Sequence, residues 1–162
     1  MIKVMFVCLG NICRSPMAEF VFKKMVQDQH LEDQFIIVSS ATSREEIGNP
    51  VHKGTVRKLS EVGIKCDGKT SIQFRKSDYA SYDYILCMET NNIKSLLRII
   101  GADPESKIHR LLDYTTNPRD IADPWYTGNF DATYNDVKEG CEAFLNDLYE
   151  THVIRPNASS VI

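Results

Sequence analysis

The stretch VMFVCLGNICRSPMAEFVF, residues 4–22, decides the fold because a strand, a loop and a helix follow one another within it. Residues 2–8, IKVMFVC, form a short apolar run rich in β-forming residues, bounded by a Gly-Asn pair, as is typical of a buried strand. After the loop, Pro16 suits the first turn of a helix, where its missing N–H is not needed, and Ser15 suits the N-cap. Apolar residues then recur at helical spacing, so the sequence predicts a strand, a tight loop and a helix.

The same alternation of strands and helices continues along the whole chain. Since each crossover between parallel strands passes over a face of the sheet, the pattern predicts an α/β fold. We expect one domain over residues 1–162, a Rossmann-like three-layer fold with a central four-stranded parallel sheet and helices on both faces. Beyond the first strand and helix, strands are predicted over 34–40, 82–88 and 106–114, and helices over 49–63, 89–101 and 129–153.

The composition argues against several classes of protein. The 162 residues include 43% apolar and 25% charged residues, which is ordinary for a globular domain. The formal net charge of −3 argues against a nucleic-acid binder, and no run approaches the roughly 18 apolar residues of a membrane span. The apolar N-terminal run is too short for a secretion signal. We expect a cytoplasmic protein, a monomer or weak homodimer, that binds neither nucleic acid nor membrane.

The five cysteines indicate free thiols rather than a disulfide framework, because their number is odd and their spacing irregular. No CxxC or CxxH pair offers a zinc site, so we expect neither a metal nor another cofactor. The cysteines are Cys8, Cys13, Cys66, Cys87 and Cys141. The last three are expected to be structural, since Cys87 lies in an apolar strand and Cys141 on an apolar helix face.

The loop between the first strand and the first helix has the composition of an oxyanion site. Backbone N–H groups that curl around one point, with the N-terminus of a helix behind them, bind a phosphate or a similar anion. Arg14 adds a planar guanidinium that binds two oxygens at once. The same positive surroundings favour the thiolate of Cys8, which would place a nucleophile at the base of the site. The residues predicted to line this phosphate-binding loop (P-loop) are Leu9, Gly10, Asn11, Ile12 and Cys13.

A phosphate ester also needs an acid to protonate its leaving oxygen, and the sequence offers Asp123 for this role. Asp123 stands in the segment DIADPWY, where the following proline favours an extended backbone. Trp125 and Tyr126 are expected to form a wall against a flat ring. Asp113 and Asp120 are the fallback acids, and an ordinary Asp-Pro turn with one buried aromatic is the alternative interpretation.

The residues alone leave two points of the loop open. Cys8 also fits a buried core position and Arg14 an ordinary surface cation, which is the alternative to an oxyanion site. Cys13 fits either a small apolar residue beneath the loop or a second thiol that forms a disulfide with an oxidised Cys8.

The motif VCLGNICRSPMAE near the N-terminus, together with DPWY in the last third, resembles the low-molecular-weight protein tyrosine phosphatases. The signature of that family is a C-x5-R-[ST] loop with a distant Asp-Pro-aromatic segment. The resemblance covers essentially the whole chain, including SYDYILCMETNN. It implies a metal-independent hydrolase whose partner is a tyrosine-phosphorylated protein or a small aryl phosphate.

The resemblance also implies roles for individual positions. Cys8 corresponds to the nucleophile that carries the phosphoryl group as cysteinyl phosphate. Arg14 corresponds to the residue that binds the phosphoryl oxygens, and Asp123 to the general acid and base. Ser15 corresponds to the hydroxyl that hydrogen-bonds the thiolate.

Three further positions correspond to parts of the loop that support this chemistry. Asn11, with Ser40 at the end of the second strand, corresponds to the network that holds the loop in shape. Cys13 corresponds to the second loop thiol of the family, which implies a reversible disulfide between Cys8 and Cys13.

The chain departs from the family pattern at two places. Many members carry an aromatic residue in the loop after the second strand, where it forms one rim of the pocket, whereas here Glu45 stands near that place. Lys69 stands where a histidine is usual. We expect both residues at the rim of the pocket, where an acidic side chain would favour basic peptides over acidic ones.

Three other functions fit a strand, a cysteine loop and a helix. An arsenate reductase of the same fold needs further cysteines to relay a disulfide, and no suitable pair follows in a mobile loop. A phosphocysteine carrier of a sugar phosphotransferase system has no use for Arg14 together with Asp123. A non-catalytic phosphotyrosine-binding module would be expected to have lost Cys8 or Asp123, so the sequence favours the phosphatase.

Overall fold

In the computed structural model, which describes residues 1–155, a four-stranded parallel sheet forms the centre of the protein. Residues 156–162 of the predicted domain lie outside the described range. All neighbouring strands run parallel, so the predicted fold class is confirmed. The strands are β1 (Ile2–Cys8), β2 (Phe35–Ala41), β3 (Tyr84–Cys87) and β4 (Ile108–Arg110), in the order β2-β1-β3-β4.

Six α-helices lie between or after these strands within residues 1–155. Two short 3₁₀ helices, Glu32–Gln34 and Leu111–Tyr114, precede β2 and follow β4. None of the helices in the described range is long and apolar enough to cross a membrane. The α-helices are α1 (Arg14–Asp28), α2 (Lys53–Glu61), α3 (Asp78–Ser81), α4 (Thr90–Ile100), α5 (Pro124–Thr127) and α6 (Phe130–Glu150).

Helices cover both faces of the sheet, and two apolar cores result. On one face Phe6 of β1 packs against Phe22 of α1, with ring centroids 5.8 Å apart, and Phe22 lies 5.3 Å from Phe144 of α6. Val7 belongs to the core of the other face, together with Leu96 of α4. Because both faces are buried, residues 4–8 of β1 form a continuous apolar run and not an alternating one.

The fourth predicted strand is shorter than expected. Only Ile108–Arg110 pairs with β3, and the chain then turns into the 3₁₀ helix Leu111–Tyr114. The Asp113 carboxylate accepts a hydrogen bond from the backbone N–H of Arg110 (3.0 Å), which offers this N–H a local partner in place of a neighbouring strand. The turn buries Leu111 against α6. The apolar residues after Arg110 thus pack as a helical turn, although their pattern predicted a longer strand.

The second predicted helix begins later than expected, at Lys53. Asn49 precedes a proline, which disfavours the helical backbone at that position. His52 is the N-cap, because its Nδ1 accepts a hydrogen bond from the backbone N–H of Gly54 (2.9 Å).

The sheet topology places a crevice at the carboxyl ends of two central strands. From β1 the chain crosses to β2 on one side, and from β3 it crosses to β4 on the other side. Where connections diverge in this way, the loops after the two strands separate and leave room for a ligand. The loop after β1 therefore lies in this crevice, which makes it the candidate site.

Replacing Gly140 of α6 with alanine should destabilise the fold. A Cβ at this position would lie 2.6 Å from Cγ of the buried Leu111, so the 3₁₀ helix after β4 would have to shift. We expect the free energy of unfolding in urea to fall by about 1–3 kcal/mol, the usual cost of overpacking a core. Asn135→Ala, at an exposed position of the same helix, is the control and should be neutral or slightly stabilising. Equal stability of the two variants would contradict this packing.

Candidate active site

The loop between β1 and α1 lies in the crevice at the carboxyl edge of the sheet. β1 ends at Cys8 and α1 begins at Arg14, so residues 9–13 make the turn between them. Asn11 in the centre of the turn has a left-handed backbone (φ 56°), which asparagine adopts more readily than most residues. The turn is tight enough that Ser15 Oγ lies 3.0 Å from Cys8 Sγ.

Hydrogen bonds from neighbouring segments hold the outer side of the loop. The carbonyl oxygen of Gly10 accepts a bond from Ser71 Oγ (2.8 Å). The carbonyl oxygen of Ile12 accepts a bond from the backbone N–H of His52 (2.8 Å). In a trans peptide the C=O of one residue and the N–H of the next point in opposite directions, so the N–H groups of Asn11 and Cys13 are turned to the inner side, as an anion site requires.

The sulfur of Cys8 is buried and surrounded by hydrogen-bond donors. The backbone N–H groups of Asn11 and Ser15 lie 3.3 and 3.4 Å from Sγ, in addition to the Ser15 hydroxyl. The Cys8 residue is only 3% exposed. Donors directed at a sulfur stabilise its negatively charged form, so this environment suits a thiolate.

Ser15 does not cap α1 as predicted. The N-cap position belongs to Cys13, which makes no side-chain capping bond. Ser15 lies inside the first turn of the helix, and its hydroxyl is directed back at Cys8 Sγ. The attraction between the hydroxyl and the sulfur has replaced the capping bond that the sequence pattern suggested.

A chain of hydrogen bonds behind the loop fixes the direction of the Ser15 hydroxyl proton. Asn11 Oδ1 accepts a bond from the backbone N–H of Ile72 (3.2 Å), which orients the side-chain amide. Its Nδ2 group then donates to Ser15 Oγ (2.7 Å) and to Ser39 Oγ (2.9 Å). Ser15 Oγ is therefore an acceptor toward Asn11, and we assign its own proton to Cys8 Sγ at 3.0 Å, which is closer than the Ser40 carbonyl oxygen at 3.5 Å.

The chain of hydrogen bonds ends at a buried carboxylate. Ser39 Oγ donates to Glu19 Oε1 (2.6 Å), and Lys23 Nζ lies 2.6 Å from Glu19 Oε2. Lys69 Nζ donates to the Ser39 carbonyl oxygen (2.7 Å) and lies 3.7 Å from Glu19 Oε1. Burial lowers the pKa of Lys69, and the attraction of Glu19 offsets this only in part. The prediction that Lys69 lies at the rim of the pocket is therefore wrong, because it lies behind the loop.

Ser40 was expected in the network around Asn11, but the hydroxyl found there belongs to Ser39, and Ser40 offers only its backbone carbonyl oxygen, 3.5 Å from Ser15 Oγ. Ser40 Oγ instead donates to Met5 Sδ (3.1 Å). Successive residues of a strand point to opposite faces of the sheet, so a shift of one position reverses the direction of the side chain.

The guanidinium of Arg14 is almost fully buried and is held by three acceptors. Nη1 donates to the Glu89 carboxylate and to the Ile121 carbonyl oxygen (2.9 Å), and Nη2 lies 3.4 Å from Asp123 Oδ2. Burial by itself would lower the pKa of Arg14, but Cys8 and the two carboxylates outweigh it and raise the pKa above its usual value. Arg14 is therefore a fixed positive charge beside the sulfur.

Asp123 lies at the start of α5 and faces the same guanidinium. Its Oδ1 accepts a hydrogen bond from the backbone N–H of Trp125 (3.0 Å), so the carboxylate caps the short helix. The fallback acids Asp113 and Asp120 are instead paired with Arg110, at 2.8 and 3.1 Å. Neither of them lines the pocket that Asp123 reaches.

The loop, the guanidinium and Asp123 line one pocket of about 130 Å³. Trp125 and Tyr126 stand at its mouth with 57% and 79% of their surface exposed. Asn11, which was predicted to line the loop, and Ser15, which was predicted to bond the thiolate, are both buried and do not line this pocket. The lining residues are Cys8, Leu9, Gly10, Ile12, Cys13, Arg14, Glu45, Glu46, Asp123, Trp125 and Tyr126.

The second thiol of the loop, Cys13, is buried and differs from Cys8 in its surroundings. Burial, together with the nearby Cys8, raises the pKa of Cys13 to about 12, so it is held as a neutral thiol. Cys66, Cys87 and Cys141 are also free and buried, and none of them lines the pocket. No group of three or more potential metal ligands occurs within residues 1–155.

The sequence analysis missed four residues that shape this site. Glu89 holds Arg14, Ser39 and Glu19 extend the network behind the loop, and Glu46 adds a second acidic group to the lining. For Glu89 a signal was available, because it follows directly after the end of a predicted strand beside the loop. Glu19 had no local signal, since a glutamate in a helix is usually exposed.

Comparison with known proteins gives a consistent result over the length of the chain. The sequence model of the family described as low molecular weight phosphotyrosine protein phosphatase matches residues 3–153. The low molecular weight protein-tyrosine-phosphatase YfkJ of Bacillus subtilis is 44% identical over 150 residues, which cover 91% of this chain and 96% of that protein. The low molecular weight phosphotyrosine protein phosphatase of Mus musculus is 39% identical over 151 residues, covering 90% of this chain and 95% of that protein.

Solved structures agree with these relatives. The crystal structure of YfkJ superimposes with a TM-score of 0.90 at 42% identity and covers 93% of this chain and 96% of that chain. The structure of Vibrio vulnificus Wzb in complex with benzylphosphonate gives a TM-score of 0.80 at 26% identity, covering 91% of this chain and 99% of that chain. The match of the family model, of the relatives and of the fold shows that this chain belongs to the low-molecular-weight protein tyrosine phosphatases and is a phosphatase enzyme.

Proposed function

We propose that the protein hydrolyses phosphotyrosine, in proteins or in small aryl phosphates, through a cysteinyl-phosphate intermediate and without a metal. One observation carries this proposal: the Cys8 sulfur, the Arg14 guanidinium and the Asp123 carboxylate all line the same pocket of about 130 Å³. A nucleophile, an oxyanion-binding cation and an acid at one point are the groups that transfer of a phosphoryl group needs.

In the first step the Cys8 thiolate attacks phosphorus and the bond from phosphorus to the tyrosine oxygen breaks. Asp123, in its protonated form, gives its proton to the leaving oxygen, so that tyrosine departs as a neutral phenol. Arg14 and the inward N–H groups of residues 9–13 bind the phosphoryl oxygens, whose charge develops in the transition state.

In the second step the Asp123 carboxylate takes a proton from water, and the resulting hydroxide oxygen attacks phosphorus. The bond from sulfur to phosphorus breaks, inorganic phosphate is released and the Cys8 thiolate is restored. Because Ser15 Oγ lies 3.0 Å from the sulfur with its proton directed at it, we assign Ser15 to stabilise the thiolate as leaving group.

The mouth of the pocket receives the aromatic ring of the substrate. Trp125 and Tyr126 are exposed there and offer flat apolar surfaces, while Leu9 and Ile12 line the loop side. Glu45 adds an acidic group at the rim. The cytoplasmic location and the monomeric or weakly dimeric state stay predictions from the sequence.

Cys8→Ser should abolish turnover of p-nitrophenyl phosphate under reducing conditions. A hydroxyl is a much weaker nucleophile than a thiolate, and loss of a nucleophile lowers kcat by more than about 1,000-fold in comparable enzymes. The assay measures nitrophenol release at saturating substrate in the presence of a chelator. Cys66→Ser, which changes a cysteine outside the pocket, is the control and should keep its activity. Undiminished turnover by Cys8→Ser would contradict the proposed chemistry.

Asp123→Ala should slow the release of tyrosine far more than the release of nitrophenol. Tyrosine is the poorer leaving group and needs a proton in the transition state, so we expect a loss of about 100-fold or more with a phosphotyrosine peptide. Nitrophenyl phosphate should lose about tenfold or less, because nitrophenolate leaves without a full proton transfer. Asp120→Asn, a carboxylate outside the pocket, serves as control. Equal losses with the two substrates would point to a different acid.

We further propose that mild oxidation joins Cys8 to Cys13. Peroxide converts the Cys8 thiolate to a sulfenic acid with release of hydroxide, and the Cys13 thiol then displaces water from it to form the disulfide. A reductant should restore the activity of the native protein, whereas Cys13→Ser should lose activity irreversibly as Cys8 proceeds to sulfinic acid. Mass spectrometry of the oxidised protein distinguishes the bridge from over-oxidised Cys8 alone, and the latter result in the native protein would refute the proposal.

A further inference from the structure

The imidazole of His52 contacts both ends of the segment that carries Asp123. Its ring stacks on Phe130, with centroids 5.3 Å apart and planes at 18°. The same ring meets Trp125 edge-on, at 5.6 Å and 77°. Trp125 donates its backbone N–H to the Asp123 carboxylate, and Phe130 is the first residue of α6. One side chain therefore bridges the segment 123–130 from its start to its end.

His52 is itself fixed to the oxyanion loop and to α2. Its backbone N–H donates to the Ile12 carbonyl oxygen (2.8 Å), and its Nδ1 accepts from the backbone N–H of Gly54 (2.9 Å). An Nδ1 that accepts a hydrogen bond leaves the ring proton on Nε2. The ring plane is thus set from the backbone side before it contacts either aromatic residue.

The position of Phe130 depends on a glycine in the first turn of α2. A Cβ added at Gly54 would lie 2.4 Å from the Phe130 ring, so only glycine leaves room for the ring to approach. The ring then fills the space beside α2 and stacks on His52. This close approach brings the start of α6 against the helix that follows His52.

Apart from the buried Pro124 and the contact of Asp123 with Arg14, the outer side of the segment is open to solvent. Trp125 and Tyr126 are 57% and 79% exposed, and Gly128 turns the chain with a left-handed backbone (φ 71°). A segment with so little buried surface depends on the few contacts that it makes. The contacts with His52 tie it to the loop that holds Cys8.

We propose that His52 is a positioning residue for the acid: its ring holds the segment 123–130 so that the Asp123 carboxylate faces the oxyanion loop at the distance that proton transfer needs. The inference rests on the proposed role of Asp123. A misplacement of a reacting group by about 1 Å costs up to about 100-fold in rate, so the loss of the ring should be measurable although His52 does not contact the substrate.

Two substitutions separate the two contacts that His52 makes. His52→Asn keeps an acceptor for the N–H of Gly54, since asparagine is a good N-cap, but loses the ring. His52→Phe keeps a ring to stack on Phe130 but loses the acceptor. For each variant the ratio of kcat with a phosphotyrosine peptide to kcat with p-nitrophenyl phosphate reports on the acid, and thermal unfolding reports on the cap.

We expect His52→Asn to lower this ratio by about three- to tenfold with little change in Tm, because the acid is misplaced while the helix stays capped. His52→Phe should keep the ratio within about twofold of the native value and lower Tm, because the cap is lost. Inhibition by inorganic phosphate should be unchanged in both, since the bond to Ile12 comes from the backbone. Lys53→Ala, an exposed neighbour, is the control for a substitution in this turn.

A double variant shows whether His52 acts through the acid. In the Asp123→Ala background, His52→Asn should change the ratio no further, since no acid remains to be positioned. An unchanged ratio in His52→Asn, an equal fall in His52→Phe, or a full additional loss in the Asp123→Ala background would overturn the inference. If Asp123→Ala behaves as proposed and His52→Asn has no effect, only the role of His52 fails; equal losses with both substrates in Asp123→Ala would overturn the acid and His52 together.

Discussion

The left-handed backbone of Asn11 is the constraint on which the rest of the site depends. A residue other than glycine in this conformation costs about 1 kcal/mol or more, so the surrounding structure has to hold it there. The side-chain amide of Asn11 does so with three hydrogen bonds, two donated to serine hydroxyls and one accepted from the backbone N–H of Ile72. With this turn in place, the N–H groups of Asn11 and Ser15 converge on the Cys8 sulfur. Without it, the strand and the helix could not enclose an anion between them.

The two buried charged side chains near the site, Arg14 and Glu19, each have partners of opposite charge. Glu19 is 4% exposed and lies between Lys23 and Lys69, and the nearly buried Arg14 lies between Glu89 and Asp123. A buried charge that lost its partner would cost several kcal/mol, so both groups need these contacts for the fold as well as for chemistry. In the proposed mechanism, Arg14 exchanges part of its bonding to these carboxylates for bonding to the phosphoryl oxygens. The two carboxylates beside it keep the empty pocket from carrying an unpaired positive charge.

Much of the fold and the centre of the site could be predicted from the sequence because the signals are local. Strand β1, the turn and helix α1 lie within a stretch of fewer than thirty residues. The apolar run, the spacing of Cys8 and Arg14, and Pro16 therefore predict all three elements from one short segment. The fourth strand was predicted too long because a local side-chain bond from Asp113 competes with sheet pairing. Such competition depends on the distance between the side chain and the backbone N–H, which the pattern of apolar residues does not give.

The supporting residues were harder to predict because their partners come from distant segments. Ser39 and Ser40 are adjacent, and only the pleat of β2 decides which of them reaches Asn11. The contact of His52 with Trp125 joins positions 73 residues apart in the chain, and the local sequence of neither segment indicates that they are in contact. Long-range packing of this kind follows from the topology of the parallel sheet, which brings the segments after β2 and β4 to the same edge as the loop after β1.

The hydrogen bonds that tie the Gly10 and Ile12 carbonyls to later segments link the occupancy of the loop to the folding equilibrium. The proposed anion site exists only while residues 52 and 71 are in place, so the unfolded chain offers no comparable site. A ligand that binds only the folded state stabilises it by RT ln(1 + [L]/Kd), about 2.7 kcal/mol at a concentration about 100 times Kd. In the proposed reaction inorganic phosphate is the product, and as a ligand of the folded loop it would also stabilise the protein against unfolding. On this proposal, the protein that holds inorganic phosphate in the loop is more stable against unfolding than the protein without it.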